Sequence, residues 1–327
     1  MRLFVVCALV SILLLDIGCG GDTPKPSTAG AGDSAIVAHL DSLNVTYQVD
    51  ENGIYYYPIT LNPTGKTQLD GTILSIYYTL DVLGGQNLIT YDSADGDPIR
   101  LKRGANAIYP IGIDLSLAYM NQGEEWVFII PSSLAYPEYT SDLIPENSIL
   151  QFRATLEEIQ NENDILFEDN QKLLVYSDSV MLADTVTNPL DQPIILSNGM
   201  IYKRLAAGGG TMQPDSGSLL TITYRLSLPY QEANPIDLQY ASNANPFIFT
   251  HRANLVLTGL DAGIARMNSG DRSLLVVPSL LGYRESAIVL PQYLTQDMAD
   301  LGIIPSYATK VGPYEVLIFD VQLLEIN

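Results

Sequence analysis

The sequence predicts an α+β protein built from one unit twice, and two observations support this prediction. The segment Gly112 to Glu138 recurs without a gap as Gly259 to Glu285, at a constant offset of 147 residues. Around each copy lie segments of alternating apolar and polar residues, typical of strands with one buried face, and short segments of helical periodicity. An ungapped repeat of this length indicates two domains of one fold, so the function of the chain is what that unit does.

Eleven of the 27 aligned positions are identical, an agreement that chance does not produce. The identical pairs are Gly112/Gly259, Asp114/Asp261, Ala118/Ala265, Met120/Met267, Asn121/Asn268, Gly123/Gly270, Pro131/Pro278, Ser132/Ser279, Leu134/Leu281, Tyr136/Tyr283 and Glu138/Glu285.

Composition excludes several classes of function. The 327 residues suffice for two domains, and a net charge of −21 makes nucleic acid a poor partner, because phosphate binding needs clustered Lys and Arg. The two cysteines, Cys7 and Cys19, lie near the N-terminus, so no disulfide framework is expected. The two histidines, His39 and His251, lie in different halves, which argues against a zinc site and a Ser-His-Asp triad. We therefore expect neither a metal nor a cofactor.

The N-terminus reads as a secretion signal followed by a tether. Arg2 and the apolar run Leu3 to Leu15 are typical of a signal peptide over residues 1–18. Cys19 follows Ile-Gly and resembles the acylated cysteine of a bacterial lipoprotein. The alternative is an ordinary cleaved signal with an incidental cysteine. Residues 19–34 are rich in Gly, Pro, Ser and Thr and are predicted to form a flexible tether.

The two copies define domain 1, residues 35–160 with its preceding helix, and domain 2, residues 197–327. Helical periodicity predicts a helix over residues 34–43, and residues 72–82 alternate as a strand. Domain 2 repeats this order, except that Tyr136 to Phe152 spans 16 residues and Tyr283 to Phe319 spans 36. The extra residues predict an extended rim loop with a helix from Pro291 to Leu301.

The residues between the domains, 161–196, are predicted to form an acidic linker and a helix. Six acidic residues and no basic one lie between Arg153 and Lys172, which is typical of a solvated boundary. A helix-like segment follows from Gln171, in a position that mirrors the helix preceding domain 1.

The motifs keep one order in both copies. In domain 1 they are Tyr78, Tyr91-Asp92-Ser93, Pro98-Ile99-Arg100-Leu101, Met120-Asn121-Gln122-Gly123, Pro131-Ser132-Ser133-Leu134-Ala135-Tyr136 and the strand through Phe152. This order resembles the FKBP-type peptidyl-prolyl isomerases over residues 50–160 and 197–327. With the lipoprotein-like start, the chain is similar to tandem-domain FKBP-type lipoproteins of Gram-negative Bacteroidota.

The resemblance implies, in each domain, a curled antiparallel sheet of about five strands around a short helix, with a proline-sized apolar pocket between them. The implied catalytic residues are Tyr136, Tyr78, Asp92, Tyr109, Phe152 and Tyr283. The implied pocket residues are Tyr91, Ile99, Ile108 and Ile113 in domain 1, and Tyr224, Phe247, Val256, Leu257, Leu260 and Phe319 in domain 2. The domain-2 counterpart of Asp92 is either Asp237 or the turn Tyr240-Ala241-Ser242.

Two departures leave the activity of both pockets open. Ile113 and Leu260 occupy the position at which the family has a pocket-floor Trp, and Trp126, predicted to lie in a strand, does not replace it. Domain 1 keeps the Tyr-Asp-Ser turn, which favours it as the more competent site.

Three functions follow as hypotheses. The first is a prolyl isomerase or folding helper, lipid-anchored in a Gram-negative envelope, in the outer membrane with its face undetermined, and acting on proline-containing polypeptides. The second is a non-catalytic binding module of the same fold. The third is a surface glycan-binding lipoprotein, suggested by the 20 tyrosines, which requires an exposed aromatic platform.

Overall fold

The computed structural model describes residues 31–176, 192–229 and 239–327. The signal peptide, Cys19 and Asp237 lie outside these ranges, so the predictions made for them stay predictions.

Domain 1 is a seven-stranded antiparallel sheet with one helix on each face. Its elements are α1 (Ala31–Leu43), β1 (Gln48–Val49), β2 (Tyr55–Thr60), β3 (Ile73–Val82), β4 (Asn87–Tyr91), β5 (Ile99–Lys102), β6 (Ile108–Tyr109), α2 (Ile111–Leu117), β7 (Glu125–Ile130) and β8 (Leu150–Gln160). The sheet order is β1-β2-β7-β8-β3-β4, and β6 lies outside this sheet.

Strand β3 is long enough to pair with two successive strands on the same edge. Its first half pairs with β5 and its second half with β4, while β8 pairs along its whole length. The face predicted for residues 72–82 is confirmed, because Leu74, Ile76, Tyr78 and Leu80 are all buried and Val82 is partly buried against the same core. These residues face α2 in the main core, which also contains Leu117. Ile73 and Ser75 of the opposite face are buried as well.

The opposite face of the sheet is covered by α1. Ile36 and Leu40 of this helix are fully buried against Tyr55, Tyr57 and the alternate residues of β7. The helix predicted over residues 34–43 is therefore present and begins three residues earlier, at Ala31.

Domain 2 repeats the architecture. Its elements are β9 (Ile194–Ile195), β10 (Ile201–Ala206), β11 (Leu219–Ser227), β12 (Gln239–Ala241), β13 (Phe247–Thr250), α4 (Thr258–Ile264), β14 (Arg272–Val277), β15 (Ile288–Val289), α5 (Thr295–Asp300) and β16 (Leu317–Ile326). The sheet order β9-β10-β14-β16-β11-β12, with β13 also on β11, matches that of domain 1. The α+β fold class is confirmed, and two short additional strands raise the expected five strands to seven.

The acidic boundary is helical from its start. Helix α3 (Glu162–Tyr176) contains most of the acidic residues predicted to form a solvated linker, so that prediction is wrong for this segment. The acids have partners: Glu168 pairs with Arg100 at 2.8 Å, and Asp169 is buried and accepts the amide of Ser279 at 2.7 Å. Charge counting missed this because it does not reveal which acids face a neighbouring domain.

Helix α3 packs against both domains. Ile165 is fully buried beside Ile73 of domain 1 and Tyr314 of domain 2. Leu173 packs on Ile201 and Val276, which places it against domain 2 as Leu40 lies against domain 1. Of the helices in the described residues, none is long and apolar enough to cross a membrane.

Candidate prolyl pockets and the segment that fills one of them

The predicted residues of domain 1 converge between the sheet and α2. Ile99, Ile108, Ile113, Tyr136 and Phe152 are all buried in one apolar cluster. Tyr78 joins them, with its ring centroid 6.2 Å from that of Phe152. Ile113, at the position where a Trp was expected, is fully buried, so an aliphatic side chain forms this part of the floor.

Two repeated residues explain how the helix reaches this position. A Cβ at Gly112 would overlap the Ile130 side chain and lie 2.8 Å from the Leu134 carbonyl oxygen, so only glycine lets α2 approach β7 this closely. Asp114 is buried on the same helix, and its carboxylate accepts the Gly104 amide at 3.0 Å. Burial raises the pKa of this carboxyl group.

Gly259 and Asp261 position α4 in domain 2 as Gly112 and Asp114 position α2 in domain 1. A Cβ at Gly259 would overlap Val277, the counterpart of Ile130. Asp261 accepts the Arg252 amide at 3.1 Å and contacts the buried His251 Nδ1 at 2.6 Å. His251 thus has a structural partner in the carboxylate of Asp261.

Tyr136 is placed by the turn that follows β7. Pro131 leads into a 3₁₀ turn (Ser132–Leu134), after which Tyr136 enters the core with only 6% of its surface exposed. Its hydroxyl donates a hydrogen bond to the carbonyl oxygen of Leu290, the residue before Pro291. Burial raises the pKa of the Tyr136 phenol well above its usual range, so the group remains an O–H donor at neutral pH.

The partner of Tyr136 belongs to domain 2. Residues 286–312 of the extended rim loop, which we name the rim segment, cross to domain 1. Strand β15 pairs in parallel with β6, with Ile288 opposite Ile108 and Val289 opposite Tyr109. The Ile288 amide donates to the Ala107 carbonyl at 2.7 Å, and the Leu290 amide donates to the Tyr109 carbonyl at 2.9 Å. No local pattern in the sequence predicts this contact, and the added length of the loop is its one signal.

The rim segment completes the apolar core of domain 1. Its buried members in that cluster are Ile288, Val289, Leu290, Leu294, Met298, Ile304 and Ala308. The predicted helix is present as a 3₁₀ turn (Gln292–Leu294) followed by α5. On its outer side, Tyr139 donates to Asp297 Oδ2 at 2.7 Å. A segment of domain 2 therefore fills the pocket of domain 1.

The pocket of domain 2 has the same floor and a more open rim. Leu260 and Phe319 are buried, and the ring of Tyr224 lies 5.9 Å from that of Phe319. Phe247 is 36% exposed, whereas Ile99, its counterpart in domain 1, is 7% exposed. Within the described residues, Val256, Leu257, Tyr224 and Tyr283 are also only partly buried.

A family model described as FKBP-type peptidyl-prolyl cis-trans isomerase matches residues 65–157 and 210–324, together more than half of the chain. The chain belongs to this family. FK506-binding protein 2B of Rhizopus delemar is 32% identical over 147 residues, 45% of this chain and 60% of that protein. FK506-binding protein 1 of Candida glabrata is 29% identical over 132 residues, 40% of this chain and 96% of that protein. This chain thus spans less than two thirds of the Rhizopus relative.

Two solved structures also match. The match to the three FKBP domains of wheat FKBP73 covers 86% of this chain and 99% of the wheat chain, at 13% identity and a TM-score of 0.32. The match to FkpA from Escherichia coli covers 51% of this chain and 64% of the FkpA chain, at 17% identity and a TM-score of 0.33.

The remaining predicted residues lie at the rims of the two FKBP pockets. In domain 1, Tyr91 stands opposite Tyr78 and donates its hydroxyl to the Asp97 carbonyl at 2.9 Å. Asp92 is exposed, and its Oδ1 accepts the Ala94 amide of its own turn at 2.8 Å. A catalytic role for Asp92 therefore stays a prediction.

The strand register in domain 2 shows which residue occupies the position of Asp92. Ala241 stands opposite Tyr224 as Tyr91 stands opposite Tyr78. Ser242 of the turn Tyr240-Ala241-Ser242 then occupies the position of Asp92. Asp237 lies outside the described residues, so the choice between the two alternatives stays open.

Two tyrosine hydroxyls in the filled FKBP pocket have no hydrogen-bond partner among the described residues. These are the buried hydroxyls of Tyr78 and Tyr109. Burial raises the pKa of both phenols, most strongly for Tyr78, so both are neutral. The Tyr109 ring lies 5.7 Å from that of Tyr136, which places both hydroxyl-bearing rings beside β6. In the described residues, no three His, Cys, Asp or Glu side chains form a group able to hold a metal ion.

Proposed function

We propose that this protein is a peptidyl-prolyl isomerase or folding helper that acts on proline-containing polypeptides of a bacterial cell envelope. One observation carries the proposal: the Tyr136 hydroxyl donates to the carbonyl oxygen of a prolyl peptide group, Leu290-Pro291, inside an FKBP pocket. That carbonyl belongs to the amide whose rotation the reaction requires.

The chemistry asks for little more than such a pocket. Rotation about a prolyl amide is opposed by resonance, with a barrier of about 20 kcal/mol. Catalysis requires a site that prefers the twisted amide to the planar one, without a nucleophile or a metal. The planar form is the more charge-separated, so the apolar surface of Ile99, Ile108 and Phe152 disfavours it by excluding water.

Hydrogen-bond donors then hold the carbonyl while the amide twists. Tyr136 supplies an O–H in domain 1, and Tyr283 is its counterpart in domain 2. The raised pKa of the Tyr136 phenol suits a donor and not a proton-transfer group.

The test is a proline-peptide isomerisation assay on the purified protein and on the Tyr136→Phe, Tyr283→Phe and doubly substituted variants. We expect isomerisation above the uncatalysed rate, reduced at least tenfold in the double variant. A rate equal to the uncatalysed one would refute isomerase activity.

The absence of Trp at the pocket floor favours a second candidate, a binding module of the same fold without turnover. Ile113 and Leu260 offer a smaller apolar surface than Trp at this position. Saturable binding of a proline peptide without isomerisation would support this candidate. The glycan hypothesis loses its basis, because among the described side chains Tyr293 is the one exposed tyrosine and most others are buried or half-buried.

The envelope location is part of the proposal and rests on the sequence of residues 1–34. A lipidated Cys19 would hold both domains near a membrane, in an organism of the Bacteroidota type. The test is membrane fractionation of cells that express the protein or its Cys19→Ser variant. We expect the variant to leave the membrane fraction; retention there would contradict lipid anchoring.

A further inference from the structure

We infer that the rim segment is an intramolecular competitor for the prolyl pocket of domain 1, so that external polypeptides reach the pocket of domain 2 while the segment is docked. The inference rests on the proposed function in taking both sites as prolyl-binding pockets. It goes beyond that function by assigning different states to two pockets of the same fold.

The rim segment uses the groups that a bound polypeptide would use. The Leu290 carbonyl of the segment accepts the hydrogen bond of the Tyr136 hydroxyl. Backbone amides of the segment donate to the carbonyls of Ala107 and Tyr109 along β6. An external prolyl segment cannot form these hydrogen bonds at the same time, so binding of the two is mutually exclusive.

The docked segment also occupies the apolar volume. Val289 and Leu290 are completely buried, as is Met298 of α5. They share one cluster with the floor residues Ile113 and Phe152. Burying aliphatic side chains of this size stabilises the docked segment, because their apolar surface is removed from water. The apolar contacts therefore contribute much of the stability of docking.

The polar contacts at the border are weaker. Tyr139 to Asp297 is a single exposed hydrogen bond at 2.7 Å, and Lys102 to Glu285 is a long ion pair at 3.9 Å. An exposed hydrogen bond contributes little net stability, and the ion pair, although Lys102 is only 15% exposed, is long. Release of the segment is thus opposed mainly by its apolar anchors.

Covalent attachment favours the segment over a free peptide. A tethered ligand acts at an effective concentration in the millimolar range when its linker spans the distance to the site, as this segment does. An external polypeptide of equal intrinsic affinity then occupies the domain-1 pocket only at a comparable concentration.

The domain-2 pocket is not occupied in this way by the described residues. Phe247 at its rim is 36% exposed, and Leu255, which precedes the predicted pocket residue Val256, is 68% exposed. Tyr283 stacks on Tyr307 of its own rim segment at 4.4 Å, at the pocket edge. An exposed apolar rim of this kind suits contact with a polypeptide.

The first experiment uses a fluorescent peptide with the sequence of residues 288–294, Ile-Val-Leu-Pro-Gln-Tyr-Leu. Its binding is titrated against the full protein, Leu290→Asp and Leu301→Asp. Leu290→Asp places a charge at a buried anchor, whereas Leu301 is 55% exposed on the same segment and serves as the matched control. We expect Leu290→Asp to bind twice as many peptides per protein molecule as the other two, because its domain-1 pocket is released in addition to the open pocket of domain 2. We also expect Tyr136→Phe to reduce that gain. The same number of bound peptides in all three proteins would overturn the inference.

A second experiment needs no substitution and so does not depend on the folding of a variant. Hydrogen exchange of the Ile288 and Leu290 amides is measured in the wild type with and without excess unlabelled peptide. Competition predicts faster exchange at both amides when peptide is present. Unchanged exchange at a peptide concentration that saturates a domain-1 site would overturn the inference.

The isomerase assay separates failure of the inference from failure of the proposed function. Wild-type activity lost in Tyr283→Phe and regained when Leu290→Asp is added to that variant would support both. Activity lost in Tyr136→Phe but kept in Tyr283→Phe would uphold the function and overturn the inference. Displacement of the rim segment by peptide without any isomerisation would uphold the inference and refute isomerase activity.

Discussion

The hydroxyl of Tyr136 in domain 1 donates a hydrogen bond to the carbonyl oxygen of Leu290 in domain 2. The two residues are 154 positions apart in the chain. This contact joins the hydroxyl donor of the domain-1 pocket to the extended rim loop, where the two domains differ most in length.

Removing this hydrogen bond is expected to loosen the rim segment locally. Tyr136→Phe leaves the buried Leu290 carbonyl without its donor, a loss of about 1 kcal/mol or more. We expect exchange of the Leu290 amide to accelerate at least about fivefold. Tyr139→Phe, which removes the exposed hydrogen bond to Asp297, is the matched control and should have a smaller effect. Equal acceleration in both variants would contradict the importance of the buried contact.

The repeated glycines are expected to be intolerant of a single methyl group. Gly112→Ala and Gly259→Ala each force a Cβ into a β-branched side chain of the adjacent strand, which we expect to cost about 1–3 kcal/mol of unfolding free energy. Gly312→Ala is the control, because its Cβ would meet no atom closer than 3.6 Å. Urea denaturation of each variant measures the loss. A stability change for Gly112→Ala no larger than that for Gly312→Ala would contradict the close approach.

The contact between the domains is expected to weaken at low pH, because protonation of Glu162 removes its ion pairs with both domains. Glu162 accepts hydrogen bonds from Lys102 of domain 1 at 2.9 Å and Arg284 of domain 2 at 2.5 Å. The Lys102 hydrogen bond, followed by that of Arg284, holds the pKa of Glu162 below its usual 4.5. A carboxyl group whose pKa is lowered by folding stabilises the fold above its unfolded pKa. That stability is lost as the pH falls through the folded value.

We therefore expect wild type to be more stable than Glu162→Gln above about pH 4.5, with the difference vanishing as the pH falls further. Urea midpoints over a pH series measure this. High salt should shrink the difference, because both partners are partly exposed. A difference that grows as the pH falls would contradict the assignment.

Asp169 is expected to be needed for attachment of α3 to domain 2. Asp169→Ala leaves the buried Ser279 amide without an acceptor, which we expect to cost about 1–3 kcal/mol. Glu158→Ala removes an exposed acid of β8 and should stay within about 0.5 kcal/mol of wild type. Thermal unfolding of domain 2 is the measurement. Equal stabilities of the two variants would show that the hydrogen bond is dispensable.

Patterns local in the chain predicted most of each domain. The period-two alternation of residues 72–82 fixes which face of β3 is buried, since a side chain cannot change face without changing register. The gap-free repeat predicted that α2 and α4 would be equivalent. In both helices the structure shows the same close approach at a glycine and a first-turn aspartate that accepts the amide of a residue preceding the helix.

The sequence was less informative where a residue's partner lies in the other domain. The acids of α3 read as solvated, because a charge pattern does not show that Asp169 meets Ser279. Domain 1 was predicted to be the more competent site because it retains the Tyr-Asp-Ser turn. The residues of that turn do not show that the pocket above Ile113 is filled by a distant loop.

The sequence by itself determined the duplicated α+β unit and its family resemblance, because these follow from short-range periodicity and from motif order. The pocket residues were implied by that resemblance. Only the tertiary structure decided which pocket is occupied. Docking of the rim segment depends on the relative placement of two domains. Residues as distant in the chain as Tyr136 and Leu290 meet only after both domains have folded.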